Sequence, residues 1–318
     1  MKAAFTSFAK GAAFLFVLLR PGATTAQQLP LFTMYRENWA LLNPAGLSNN
    51  YLLNGKKLSV GATYRDQWAG LEDAPVTGAL QVEAILPNWR VATGGAILYD
   101  QTGAFGQIGL QGKFAYLIPM GGREAQTLSV GISAGLVQYR SSPGEVDFRD
   151  PGDVVAEGAE TSIAPDFGLG AFYHYAERFY AGISVPQLLG LSSRFQSGSS
   201  SYDIRRVQHY YALAGGYINL PYSNTAFLEP SVWLRYVPHA PFSVDVNLRY
   251  QFNETFWIGA GAGASKVLHL EFGLSLAEQI HLNKSLLKIG FGYDRYFGAV
   301  GPNFGNTYEC SLVFAFDR

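Results

Sequence analysis

Residues 131 to 135 read GISAG, which matches the G-x-S-x-G pattern of hydrolase nucleophile elbows. That chemistry requires Ser133 on a sharp turn between a strand and a helix, with a histidine base within reach. Ser133 instead lies inside LSVGISAGLVQY, an uninterrupted strand-like run, and nothing in the sequence ties any of the five histidines to it. We therefore expect the protein not to be an enzyme.

Other residue types that carry chemistry are also poorly placed for it. GAGAGAS, residues 259 to 265, precedes no helix and has no lysine positioned for phosphate, so we interpret it as a smooth wall that leaves room for a loop or plug. The sequence has neither H-E-x-x-H nor a Cys/His cluster, so we expect no metal and no cofactor. A single cysteine, Cys310, excludes a disulfide within the chain, and a net charge of -1 gives no reason to expect nucleic acid.

The first 26 residues have the layout of a secretory signal peptide. Lys2 and Lys10 precede a short apolar run, which is followed by small residues, and we expect cleavage after Ala26. A membrane anchor needs roughly 20 apolar residues, and this run stops at Arg20. The alternative of an anchor is therefore disfavoured, and the mature chain begins with an extension, residues 27 to 56, that we expect to be periplasmic or packed in a lumen.

From residue 57 onward, apolar and polar residues alternate with the period of two that is typical of strands. In PFSVDVNLRYQF, residues 241 to 252, one face is apolar and the other carries Asp245, Asn247 and Arg249. The polar faces of these strands carry charges of both signs. This fits ion pairs in the polar lumen of a barrel better than the apolar interface between the two sheets of a β-sandwich. The charged members are Glu83, Lys113, Arg235, Asp245, Arg249, Glu271, Lys288 and Asp294. We predict about fourteen strands: 57–66, 76–86, 90–100, 106–117, 126–140, 161–175, 178–186, 206–218, 226–237, 242–252, 255–264, 267–276, 286–296 and 306–317.

The loops give an independent check on this count. With an even number of strands, both ends of the barrel face the periplasm, and long loops belong on the other side. The two longest connections, about 141–163 and 187–205, both fall on that outward side, whereas the connections after strands two, six and ten are tight. The sequence therefore predicts an all-β transmembrane antiparallel outer-membrane β-barrel, residues 57–318, in a Gram-negative outer membrane. In this barrel, we expect Cys310 to lie on the same strand face as Tyr308 and Leu312 and to face lipid.

Several segments resemble one family, the PorP/SprF outer-membrane proteins of the Bacteroidetes type IX secretion and gliding machinery. QQLPLFTMYRENWALLNPAGLS is similar to that family's opening segment, and its Asn-Pro-Ala element is Asn43, Pro44 and Ala45. A second block, YRDQWAGLEDAPVT, resembles the family's next motif, carried by Tyr64, Arg65, Gln67, Trp68, Gly70, Ala74, Pro75 and Thr77. The likeness covers nearly the whole mature chain. One departure is His239, which stands where a glycine is usual before Ala240 and Pro241.

The resemblance implies a non-enzymatic barrel that helps to export a cognate secreted protein, often a large adhesin, or holds it at the cell surface. Such cargo is engaged through its C-terminal signal domain, so the implied partners are that cargo, type IX secretion components and the lipid bilayer. The alternatives are a passive or substrate-specific pore and, from another class, a barrel enzyme acting on lipid. A one-sided lumen charge would have favoured the pore, and a Ser/His pair at one strand end the enzyme.

The second block ends in a hairpin connection that we place on the outward side. QWAGLEDAP and VPHAP both end in Ala-Pro before a clean strand, and proline there favours the extended backbone that begins the strand. Trp68 fits an interfacial aromatic belt or, alternatively, a docking surface. Our candidate partner-binding residues are Tyr64, Arg65, Gln67, Trp68, Glu72, Asp73, Pro75, His239 and Pro241, beside the N-terminal motif Asn43, Pro44 and Ala45.

Overall fold

The structure is a computed structural model that describes residues 29–121, 125–142, 160–176, 178–197, 200–221, 225–277, 282, 284–297 and 305–317. The expected signal peptide, residues 1–26, and most of the first long connection lie outside these residues. No helix within the described ranges is long and apolar enough to cross a membrane.

Strands dominate the described chain, because the period-two alternation places one apolar and one polar face on each extended segment. Fourteen strands in the described part of the chain form one closed sheet, and a two-residue strand, β11, continues β10 alongside β12. The strands are β1 Leu58–Ala69, β2 Val76–Leu86, β3 Val91–Thr102, β4 Phe105–Pro119, β5 Gln126–Ser141, β6 Glu160–Tyr175, β7 Phe179–Val185, β8 Ser192–Ser197, β9 Ser200–Arg205, β10 Tyr210–Gly216, β11 Ile218–Asn219, β12 Phe227–Tyr236, β13 Ser243–Gln251, β14 Phe256–Gly263, β15 Val267–Leu276, β16 Ser285–Tyr296 and β17 Asn306–Phe316.

The sheet closes on itself through its first and last strands. In β1, Arg65 lies opposite Thr77 of β2 on one side and opposite Glu309 of β17 on the other. The long connection between β7 and β10 does not interrupt the barrel wall, because β10 pairs directly with both β7 and β12. Every pairing is antiparallel, so the predicted fourteen-strand barrel is confirmed, including its order of strands.

The second long connection contains structure that the sequence did not reveal. Strands β8 and β9 form a separate hairpin in the segment that we expected to be a plain loop, and the eighth barrel strand starts at Tyr210 rather than at residue 206. The segment is rich in serine and lacks a clear apolar face, so its alternation gave no strand pattern. This end of the barrel, with the long connections, is called the long-loop end below; the opposite end is called the termini end.

The two faces of the wall follow the alternation. In β13, Val246 and Leu248 point outward and are about half exposed, whereas Asp245, Asn247 and Arg249 point inward and are buried. Exposed outward tyrosines such as Tyr64 and Tyr99 lie towards the long-loop end, and exposed outward aromatic residues such as Tyr116 and Phe179 lie towards the termini end, as expected of the girdles of a membrane barrel. Cys310 is exposed on the outer face, as predicted.

The segment before β1 lies inside the barrel. It forms a turn over residues 33–38, a short helix Trp39–Leu42, a 3-10 helix Pro44–Ser48 and a second helix Asn49–Asn54. Its apolar side chains are buried against inward-facing aromatic residues of β6, β7, β10 and β12, where Trp39 packs 4.9 Å from Phe172 and 4.5 Å from Tyr180, measured between ring centroids. Residues 29–54 are called the plug segment below.

Candidate functional site

The plug segment runs the length of the lumen. At the long-loop end, the backbone N–H of Leu29 donates to Nε2 of His209, at 3.1 Å, just before β10. At the termini end, the side-chain oxygen of Asn49 lies 2.7 Å from Nε2 of His174. The chain therefore enters near the long-loop end and descends to the start of β1.

His209 holds the first described residue of the plug segment as a neutral acceptor. Burial lowers the pKa of His209 to about 4, and its Nδ1 lies 3.0 Å from the carbonyl oxygen of Val207. A neutral imidazole donates from one nitrogen and accepts at the other. Nδ1–H therefore donates to Val207, which leaves Nε2 free to accept from Leu29.

A buried ion cluster fastens the next turn of the plug segment to the wall. The guanidinium of Arg65 lies 2.7 Å from a carboxylate oxygen of Asp294 and 2.9 Å from one of Glu309. Thr33 joins both acids, because its hydroxyl donates to Asp294 at 2.8 Å and its backbone N–H donates to Glu309 at 2.7 Å. A second backbone N–H, that of Met34, donates to Glu309 at 3.0 Å. Charges this deeply buried are stable only when paired and hydrogen-bonded, as they are here.

The cluster continues around the long-loop end through one histidine. His269 places Nδ1 2.7 Å from Asp294 and Nε2 3.0 Å from Asp245, and Asp245 in turn pairs with Arg235. Both ring nitrogens can donate only in the protonated imidazole. The geometry therefore suits a charged His269 linking two carboxylates.

A second ion cluster lies deeper in the lumen. Glu37 of the plug segment lies 3.0 Å from Arg249 and 3.9 Å from Lys288. Burial alone would raise the pKa of Glu37, but the two cations outweigh burial and hold it at about 2. Its neighbour Arg36 pairs with Glu271, and its guanidinium also approaches Glu229 at 3.9 Å. The expectation of structural ion pairing among the lumen charges is thus confirmed.

The Asn-Pro-Ala motif sits against the wall rather than at the rim. Asn43 donates from its side-chain nitrogen to the carbonyl oxygens of Ala171 and Ile183, each at 3.1 Å, and accepts from the N–H of Ala45 at 2.9 Å. A Cβ on Gly131 would overlap the backbone of Pro44 and Ala45. The first glycine of GISAG is therefore required by close backbone packing.

The two glycine-containing patterns are both parts of barrel strands. Ser133 lies in the middle of β5, opposite Lys113 and Gly168, so the strand prediction for it is confirmed and the turn of a nucleophile elbow is missing. In β14, a Cβ on Gly259 would overlap Glu271, and one on Gly263 would overlap Asp245. These glycines leave room for inward charged side chains, through which the plug segment is held.

The predicted partner-binding residues occupy three different environments. Tyr64 points outward, whereas Arg65 points into the lumen and belongs to the buried cluster. Gln67, Trp68 and Pro75 are half-buried where β1 and β2 meet the hairpin turn. The exposed members at the rim are Glu72 and Asp73 of the β1–β2 connection and His239 and Pro241 of the β12–β13 connection.

The two Ala-Pro connections share an unusual backbone. Asp73 and His239 each precede Ala-Pro, and their φ angles are +57° and +67°, in the left-handed region that favours glycine. Trp68, at the end of β1, is also left-handed, with φ +59°. Other non-glycine residues with left-handed φ, such as Arg90 and Ala176, lie at the termini end, and position 239 is the one where the sequence departs from the usual glycine.

Sequence reasoning did not single out Thr33, Glu37, His209 or Glu309, which join the plug segment to the wall. Glu309 could have been found, because it lies on the inward row of β17, between outward Tyr308 and Cys310. Thr33 and Glu37 lie where alternation is absent, and His209 falls in predicted strand 206–218 but just outside β10. Their partners therefore follow only from the folded structure.

Comparisons with known proteins agree with this architecture. A family model described as type IX secretion system membrane protein PorP/SprF matches residues 24–314. Among solved structures, the CymD monoaromatic hydrocarbon channel is 14% identical with a TM-score of 0.51 and covers 88% of this chain and 92% of that chain. The TodX deltaS2S3 mutant monoaromatic hydrocarbon channel is 11% identical with a TM-score of 0.50, covering 88% and 94% respectively. At this identity the likeness is one of fold. No curated protein matches the sequence.

Proposed function

Because the chain belongs to the PorP/SprF family of type IX secretion system membrane proteins, we propose that it is a non-enzymatic outer-membrane barrel that assists export or surface anchoring of a cognate secreted protein. The cargo, an adhesin or another large secreted protein, is engaged through its C-terminal signal domain. Other components of the type IX system are the second class of partner.

The observation that carries this proposal is the plugged lumen, although a cavity of about 610 Å3 remains between the plug segment and the wall towards the termini end. Most residues from Phe32 to Asn49 are buried, and the wall holds them through two ion clusters and several hydrogen bonds. A plug anchored by buried, paired charges favours a docking role over a passive or substrate-specific pore, because displacing it to open the lumen would leave wall charges buried without their partners. The hydrocarbon channels named above share the fold, which leaves the pore as the alternative to test.

The rim of the long-loop end is the proposed docking surface. The β1–β2 connection presents Leu71, Glu72 and Asp73 to solvent, and its backbone is braced by a hydrogen bond of 3.0 Å from the N–H of Gly103 to the carbonyl oxygen of Asp73. Exposed residues held in a left-handed backbone are typical of functional surfaces, where the surrounding structure maintains the strain. The β12–β13 connection, with His239 and Pro241, adds a second braced turn at the same end.

The test combines Glu72→Lys, Asp73→Lys and Trp68→Ala in the tagged full-length protein. The protein is extracted from its native envelope in mild detergent, and co-purifying proteins are identified by mass spectrometry. We expect a large secreted protein with a C-terminal signal domain to co-purify with the wild type and to be lost from the triple variant. Heat-modified migration on gels checks that the variant barrel still assembles.

The matched control reverses charge at the opposite end of the barrel. Glu254→Lys with Phe252→Ala changes an exposed acid and an exposed aromatic residue in the β13–β14 connection, and cargo recovery should be unchanged. Equal recovery from the triple variant would contradict docking at this rim. A wild-type barrel that purifies alone and conducts ions in planar bilayers would establish the pore instead.

A further inference from the structure

The outer wall contains a concave apolar groove beside the seam where β1 meets β17. The groove is open to the surroundings, has a volume of about 420 Å3 and is lined almost wholly by apolar atoms. It lies on the face opposite the lumen, so neither the plug segment nor the rim turns contribute to it. Its lining residues are Ala62, Thr63, Tyr64, Gly78, Ala79, Leu80, Ile97, Tyr99, Cys310, Ser311 and Leu312.

The shape of the groove follows from where small residues fall in the strand register. Across the sheet, Tyr99 lies opposite Gly78, Gly78 opposite Tyr64, and Tyr64 opposite Cys310. A Cβ built on Gly78 meets no atom within 4 Å, so the position between the two tyrosines is open. One row nearer the termini end, Ala62 lies between Leu80 and Leu312 and extends the opening along the strands.

The aromatic residues around the groove indicate how deep in the bilayer it lies. Tyr64, Tyr99 and Tyr308 are all about half exposed on the outer face, in the half of their strands that is nearer the long-loop end. Tyrosines in such a belt sit at the level of the lipid headgroups. Gly78 therefore lies at the headgroup level and Ala62 just below it, so the groove extends from the headgroups towards the acyl chains.

We propose that this groove is a binding site for one acyl chain of an outer-leaflet membrane lipid, whose headgroup lies at the tyrosine belt. Inside a bilayer there is no hydrophobic driving force for such binding, and dispersion contacts decide it. A convex wall touches a chain on one side, whereas the groove surrounds it with Tyr64, Tyr99, Leu80, Ile97 and Leu312. An unfilled groove would forfeit those contacts, so a chain held there exchanges more slowly than its neighbours.

The experiment uses the full-length protein in nanodiscs that contain a phospholipid with a photoactivatable diazirine in its acyl chain. After illumination, peptide mass spectrometry maps the crosslinked residues. We expect crosslinks to concentrate on groove residues. Gly78→Leu should lower them about tenfold, which corresponds to the loss of about ten carbon–carbon contacts.

Two comparisons make the result specific. Ala134→Leu adds the same side chain to an exposed, lipid-facing position of β5 and should leave the groove crosslinks unchanged. Alkylation of Cys310 with a bulky maleimide fills the groove in the folded wild-type protein, so it gives the same displacement without any risk to folding.

Crosslinks spread evenly over the outer face, and insensitive to both Gly78→Leu and alkylation, would overturn the proposal. So would an oxidative Cys310–Cys310 crosslink in good yield, because the groove would then be an interface between two copies of the barrel. Concentrated crosslinks that both treatments abolish would establish the site.

Discussion

The side-chain amide of Asn43 occupies the space that a Cβ atom on Gly170 would need. Gly170→Ala should therefore push Asn43 away from the wall and weaken its hydrogen bonds to Ala171 and Ile183, each a contribution of about 1 kcal/mol. Hydrogen–deuterium exchange of the peptide covering residues 39–48 should rise. Gly78→Ala, at a position where a Cβ meets no atom within 4 Å, is the control. Unchanged exchange in Gly170→Ala would contradict close seating of the motif.

Removing one member of the buried ion cluster should destabilise the barrel. Arg65→Met leaves the carboxylate of Glu309 buried without its cation and leaves Asp294 with His269 alone, and such losses cost about 3–5 kcal/mol. Urea unfolding in detergent micelles, followed by tryptophan fluorescence, measures the change. Lys56→Met is the control, because Lys56 and Asp317 form a more exposed pair at 3.6 Å for which we expect less than about 1 kcal/mol. Similar midpoints for the two variants would argue against the cluster as an anchor.

Lowering the pH should release the plug segment from the wall at the long-loop end. The pKa of His209 is lowered to about 4 by burial, compared with about 6.5 when it is exposed. The neutral form is thus favoured in the folded state, and its stabilisation is present above about pH 6.5 and lost as the pH falls towards 4. Protonation also removes the acceptor for the N–H of Leu29. Exchange of residues 29–35 should rise over that range, and His209→Gln, which keeps an acceptor but does not titrate, should flatten the dependence.

Cysteine labelling tests the direction of the plug segment. In a Cys310→Ala background, Leu29→Cys should react with a membrane-impermeant maleimide on intact cells, and Leu53→Cys only after permeabilisation. Asn43→Cys should resist both treatments, since Asn43 is fully buried. Reaction of Asn43→Cys on intact cells, or the reverse order for the other two, would show that the segment runs differently in the membrane.

The alternation of residues was sufficient to predict the barrel but not its contents. In β13, for example, period two assigns Asp245 and Arg249 to the lumen without any knowledge of their partners. The plug segment has no period, and its contacts join residues far apart in sequence, as Thr33 and Glu309 do. The charges of both signs in the polar rows indicated ion pairing. That Glu37 and Thr33 complete the pairs follows only from the fold.

The rim was predicted less fully than the wall. Ala-Pro in two connections indicated how β2 and β13 begin, but not that Asp73 and His239 would take left-handed backbone. Neither residue type requires that conformation, so tertiary contacts such as the hydrogen bond between Asp73 and Gly103 impose it. The sequence did not predict the hairpin of β8 and β9, because its serine-rich segment shows no clear alternation of apolar and polar residues.

The order of the chain places the plug segment first and the closing strand last. Thr33 is separated from Glu309 by 276 positions, and β17 seals the wall only by pairing with β1. The sheet must therefore close around a plug segment that is already present. Pairing between strands so far apart in the sequence is slow. A defective plug segment should consequently be seen first as failed biogenesis, with unassembled chains degraded in the periplasm, rather than as a leaky envelope.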